Sequence, residues 1–227
     1  MDFTAIFTAY WNLYRSDSDI PASTDEEYTV GLRLANEAVK HWATYDGTLW
    51  KQLLVNLQAS GEGVNVVTSQ TDYDAPEDFN KPAGDIFVLD STTNKTKQVY
   101  HLIDPSEAQF KNDDATYAYF TGSPAEGYVL NLNPAPTSTL NGHKIDYWYY
   151  KTPTEFSTGT DITEMNDAYF VVHRMLANRY RASRNPFYSD ALRDSENSLA
   201  KMKMENDAGS WSQPYSVKDR SGSQWGQ

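Results

Sequence analysis

The 227-residue sequence contains no cysteine. That absence removes disulfides, thiolate zinc sites and cysteine nucleophiles together, and leaves packing or partners to stabilise the fold. Long apolar runs are also missing: no segment approaches the roughly 18–20 residues of a membrane helix, and the mean hydropathy is −0.67. A soluble protein without a membrane partner is expected. The opening MDFTAIFTAYWNLYR has an acidic second residue and no basic stretch before its apolar positions. It does not read as a secretory signal, so synthesis in a host cytoplasm is expected. Cationic excess is lacking as well, with 19 Lys and Arg against 31 Asp and Glu, a net charge of −12. Phosphate binding draws on clustered Lys and Arg, so a protein that grips nucleic acid is disfavoured.

Catalytic and metal-binding patterns are equally scarce. His41, His101, His143 and His173 fall in different elements, with no H-x-x-x-H or H-E-x-x-H spacing, so no metal site is expected. Gly61-Glu62-Gly63 lacks the Lys-Ser/Thr sequel of a phosphate loop and reads as a turn. Asp17 and Asp19 open like a calcium loop, but Pro21 follows and no terminal Glu keeps the spacing. There is no G-x-S-x-G elbow. Asp72, Asp74, Glu77 and Asp78 are close in sequence, yet among 31 carboxylates that closeness carries little weight. No catalytic residue, cofactor or metal is assigned.

What the chain does have is aromatics: 31 residues, 16 of them tyrosine. Phe3, Ile6, Phe7, Tyr10, Trp11 and Tyr14 make the apolar stripe of a helix over 3–15. Thr24 and Glu27 have the spacing of a capping box that would start a second helix, with Tyr28, Leu32, Ala35, Val39 and Trp42 on one face. A third, short helix is expected over TLWKQLLVNLQ, residues 48–58. From Ser60 to Phe156 the texture turns to short strands between Gly, Pro, Asn and Asp, at 64–68, 85–90, 97–103, 116–120, 127–132 and 144–150. Helical period returns from Thr163, closes at Asn185-Pro186, and resumes on a stripe of Tyr188, Leu192, Leu199 and Met202. The expected fold is α+β: a helical domain of residues 1–60 and 157–207, carrying an inserted small antiparallel β-sandwich or barrel of residues 61–156.

Residues 208–227 are polar, Gly- and Ser-rich, and hold a net charge of +1 against −13 for residues 1–207. Such composition cannot build a core alone, so a flexible arm is expected, with Trp211, Tyr215 and Trp225 as aromatic anchors and Lys218 and Arg220 beside them. The stretch IDYWYYKTP, Ile145 to Pro153, is the densest aromatic run. Alternation puts Ile145, Tyr147 and Tyr149 on one face and Asp146, Trp148 and Tyr150 on the other. One face can serve the core; Trp148 and Tyr150 are candidates for a subunit interface.

Three segments, in order, carry a resemblance. LRLANEAVKHWATYDGTLWKQLL (Leu32–Leu54) has an Asn in an amphipathic helix and ends in W-x-x-L. DYDAPEDF (Asp72–Phe79) contains Tyr-x-x-Pro-x-Asp-Phe. IDYWYYKTPTEFSTGTDI ends a strand in Tyr-Tyr-x-x-Pro and leads to the helical NDAYFVVHRMLANRY. Over about Thr24 to Tyr188 the chain resembles bacteriophage head-to-tail adaptor proteins of the tail tubular protein A type. The resemblance implies a virion protein of the neck or tail that forms a homo-oligomeric ring, usually dodecameric. It also implies a portal protein on one side, a tail or nozzle protein on the other, and DNA that transits the lumen without specific binding. An acidic lumen would let DNA slide. Two alternatives stand beside it: a carbohydrate-binding β-module, suggested by the Tyr and Trp content, and, with less support, a carboxylate-based cell-wall hydrolase, for which only composition speaks.

Overall fold

The computed structural model describes residues 1–15, 19–112 and 115–208. In chain order its elements are α1 (Phe3–Arg15), α2 (Glu26–Ala43), β1 (Leu54–Asn56), α3 (Leu57–Ser60), β2 (Asp72–Asp74), β3 (Phe79–Pro82), β4 (Ile86–Leu89), β5 (Thr96–Leu102), α4 (Pro105–Ala108), β6 (Tyr117–Ser123), β7 (Gly127–Asn133), β8 (Lys144–Asp146), β9 (Trp148–Lys151), α5 (Tyr169–Ser183) and α6 (Tyr188–Ala208). The protein is α+β. Its contacts divide it into a helical unit, Met1–Trp42 with the chain from Phe156 onward, and a β unit, Ala43–Glu155.

In the helical unit, the stripe of α1 is buried as its spacing predicts: Phe3, Ile6, Phe7, Tyr10 and Trp11 all face inward. α2 can lie close to α1 because Gly31 has no side chain; a Cβ there would fall 2.3 Å from the Phe7 ring. α5 and α6 form a hairpin, tied by an Arg174–Glu196 ion pair of 2.8 Å. Three expectations shift here. Helix α2 begins at Glu26 rather than Thr24, and Glu27 takes both its carboxylate oxygens to Arg179, each at 2.9 Å, instead of returning to the helix start. The buried stripe of α6 is Ala191, Ser195, Leu199, Met202 and Asn206; Tyr188 and Leu192 sit only half-buried beside it. Residues 163–168 are irregular, because Thr163 Oγ1 accepts from Met165 N at 3.2 Å and Asp167 accepts from Tyr169 N at 3.0 Å. These local bonds compete with helix, so α5 starts only at Tyr169.

The β unit holds a six-stranded sheet in the order β2-β7-β6-β5-β4-β8 and a three-stranded antiparallel sheet in the order β1-β9-β3. One pair, β5 with β6, is parallel, where an antiparallel sheet throughout was expected. Fourteen residues separate those strands, Ile103 to Thr116, enough for the crossover that parallel pairing requires. Residues 48–58 do not form the expected helix: after two 3-10 turns, Leu54–Asn56 pair with β9 and only Leu57–Ser60 is helical. Leu, Lys and Gln are good helix formers, but a waiting partner strand outweighs that preference. Residues 64–68 form no strand either. Asn65 makes one isolated bridge to Lys144, and Val64 O accepts from Ile145 N at 2.9 Å. Backbone groups at the β8 edge are thereby covered.

The β core gathers Phe79, Ile86, Val88, Tyr100, Leu130, Leu132 and the buried face of the aromatic run. Phe79 is its centre: its ring stacks on Phe120 at 4.5 Å and lies 5.2 Å from Tyr128 and 5.6 Å from Tyr149. At the β6–β7 hairpin, Gly122 has φ 111°, and a Cβ there would meet the Gly127 carbonyl at 2.1 Å. Only glycine fits that turn.

Candidate assembly surfaces

The run IDYWYY is not one strand but two, since β8 pairs with β4 while β9 pairs with β1 and β3. Tyr147 lies at the break, where its carbonyl accepts from Leu57 N at 3.0 Å. The alternation of faces survives the change of sheet: Ile145, Tyr147 and Tyr149 are almost wholly buried. Trp148, on the opposite face, is 49 % exposed. It stands across from Asn56, and Tyr150, half-buried, stands across from Leu54 with Lys81 on its other side. The exposed indole at the middle of a three-stranded sheet is a surface with an apolar centre and polar flanks. Trp211, Tyr215, Lys218, Arg220 and Trp225 lie outside the described residues.

The residues of the three sequence segments serve internal structure. Asn36 clamps the backbone of Phe156 at two points, donating to its carbonyl at 2.9 Å and accepting from its N–H at 2.8 Å. Trp50 and Leu53 are buried. Tyr73 sends its hydroxyl into the 67–70 turn, accepting from Val67 N at 3.1 Å and donating to the Gln70 carbonyl at 3.2 Å. Phe79 N closes on Pro76 O at 3.0 Å. The second and third segments then meet, because Tyr149 donates its phenol proton to the Asp78 carboxylate at 2.9 Å. Burial and that carboxylate both hold the Tyr149 phenol above its ordinary pKa, burial most of all.

These residues, from Asn36 to Tyr149, hold together the framework of each unit. The SU10 adaptor protein family model matches residues 1–218. The chain belongs to that family. No curated protein matches it. The SU10 adaptor family is a structural one of phage virions, so this adaptor is a structural virion protein whose work is contact with other virion proteins.

The polar side chains are used accordingly. Asp161 accepts from Ser157 N and Thr158 N at 2.6 Å and from both their hydroxyls, at 2.9 and 2.8 Å; these bonds hold its pKa far below the ordinary carboxylate range. Asp90 caps Thr92 and Thr93 in the same way, and Asp104 caps Ser106 at the start of α4. Hydrogen bonds lower both pKa values. The histidines are dispersed: His41 stacks on Phe170 at 6.3 Å, His101 pairs with Asp85 at 3.0 Å, His143 accepts from Ser91 N at 3.3 Å, and His173 lies 6.4 Å from the Tyr169 ring. Burial, then Arg174, lowers the His41 pKa. Among the described residues no three His, Asp or Glu side chains are grouped to hold a metal ion, and no helix is long and apolar enough to cross a membrane.

Among the exposed apolar side chains that escaped sequence reasoning are Phe110 (81 %), Met204 (72 %), Ile162 (66 %) and Phe187 (62 %). Phe187 follows Pro186 and Phe110 follows α4, both in turns, where no periodicity exists to mark a face as outward.

Proposed function

We propose that this adaptor forms a head-to-tail ring, of about twelve copies by its resemblance to tail tubular adaptors, seated between the portal and the tail or nozzle in the virion neck. DNA passes through its lumen without specific binding, and the protein catalyses no reaction. Membership of the SU10 adaptor family over residues 1–218 carries the proposal. Support comes from Trp148: an indole half-exposed at the centre of a small sheet gains by burial in a neighbour, and Trp is among the residues on which interfaces most depend. We place a subunit contact at Trp148 and Tyr150. Trp211, Tyr215, Lys218, Arg220 and Trp225 are assigned, on composition, to contact with the portal or an adjoining subunit.

The test is sedimentation and electron microscopy of the purified protein, alone and with its portal. Ring-shaped particles, or portal particles extended by a collar of this chain, are expected. Trp148→Ala should weaken assembly at least about tenfold, a typical effect of truncating an interface Trp. A protein that stays monomeric at every concentration and never joins the portal would overturn the proposal.

A further inference from the structure

Helices α2 and α5 enclose an open groove of about 460 Å³ within the helical unit. Val30, Leu34 and Ala182 give it an apolar lining; Arg33, Arg179 and Arg181 bring positive charge to it and Glu37 one negative charge. Arg33 is paired with Glu37, an exposed contact of the kind that costs little to open. Arg181 enters no ion pair among the described residues, and neither does the exposed Arg184 that ends α5. All seven arginines among the described residues belong to this unit.

The β unit has the opposite character. It contains fifteen Asp and Glu against seven Lys and no Arg, a net charge of −8, which leaves −4 for the helical unit. Its edge strand β2 pairs on one side only, with β7. On β2, Asp72 and Asp74 are exposed on either side of the buried Tyr73, so both carboxylates project from one face, roughly 7 Å apart along the strand. Neither makes an ion pair among the described residues.

We propose that the α2–α5 groove of one copy receives the β2 edge of a second copy, with Asp72 and Asp74 meeting Arg33 and Arg181. The proposal rests on the ring reading above and supplies its subunit contact with a chemistry. Charge selects the occupant locally: two exposed carboxylates on one face of β2 match two guanidinium groups at the groove, and guanidinium forks bind carboxylates through paired hydrogen bonds. Groove and edge are different surfaces, so the contact is heterologous, the class that closes into rings when the rotation permits. Its charges lie at the surface, so salt weakens it.

Sedimentation velocity on the full chain, at about 50 mM and about 500 mM salt, tests the contact. The pairs Arg33→Glu/Arg181→Glu and Asp72→Lys/Asp74→Lys should each raise the concentration for half-assembly at least about tenfold, because like charges then face each other. The fourfold variant should recover most of the loss. Arg181→Ala and Asp74→Ala, singly and together, give the same test without charge reversal: the two losses should be less than additive. Rings that form equally well in every variant would overturn this contact and leave the ring reading standing. Wild-type protein that assembles neither alone nor on the portal would end both. An Arg33→Glu/Arg181→Glu variant that assembles normally but loses retention on DNA would assign the groove to nucleic acid and overturn the proposal.

Discussion

In the helical unit, the residues that bury one another sit at helical spacing within single segments, and their charges are tied by arginine: Arg174 to Glu196, Arg179 to Glu27 with Tyr14 at 3.3 Å. In the β unit there is no arginine, and the centre is a set of rings, Phe79, Phe120, Tyr128, Tyr147 and Tyr149, brought from four separate strands and the link between β8 and β9. Aspartates there close turns and hold a phenol rather than pairing with guanidinium groups. Each unit is therefore vulnerable in a different place. Helices tolerate loss of a surface charge because their backbone bonds are local, whereas the β core depends on a few aromatic contacts between distant segments.

The largest effect is expected from Phe79→Ala in the β unit. Removing the ring shared by Phe120, Tyr128 and Tyr149 should cost about 3–5 kcal/mol. Amide exchange should rise across residues 43–155 and stay lower in α5 and α6; equal loss in both units would show that they unfold as one. Gly31→Ala should come next, at about 1–3 kcal/mol, since the methyl group meets the Phe7 ring and outweighs the helical preference for Ala. Gly31→Ala/Phe7→Leu should regain part of that loss in a denaturant titration. Failure to regain any would place the strain elsewhere.

A smaller effect is expected from Tyr149→Phe, about 1–2 kcal/mol, because the Asp78 carboxylate loses its phenol donor. The same phenol makes the pH dependence testable. Folded Tyr10, Tyr147 and Tyr149 have pKa values raised above 10.0, chiefly by burial. Above pH 10 the unfolded chain therefore binds fewer protons than the folded one, and stability should fall as pH rises further. Absorbance at about 295 nm should show the buried phenols, Tyr73 and Tyr100 with them, ionising late and together with unfolding. Arg193→Ala should do least, under about 0.5 kcal/mol by thermal melt, because its pairs with Asp190 and Asp194 are exposed.

The helices were legible because burial repeats every three or four residues within one segment, as the α1 stripe and Phe170 to Ala177 on α5 show. Four of the six expected strands were legible by alternation within one segment; a fifth, 144–150, is divided between β8 and β9. The fate of residues 48–58 was not, since Val55 becomes strand only against Tyr149, ninety-four residues away. Among the candidate surfaces, the alternation that turns Trp148 outward was readable, while the exposure of Phe110 and the groove beside Arg181 were not. A groove is made by two helices whose sequence does not name each other.

The residues and their order along the chain were enough for the α+β class, the inward face of α1, the division of Ile145 to Tyr150 into two faces, and the family pattern of Asn36, Tyr73, Asp78 and Tyr149. Each depends on periodicity or on the order of residues along the chain. Tertiary structure alone decided that IDYWYY passes between two sheets, that β5 and β6 run parallel, that Glu27 turns to Arg179, and that Asp78 holds Tyr149. Those outcomes are settled by competition among partners far apart in sequence, and a side chain takes the partner that folding brings within hydrogen-bond reach.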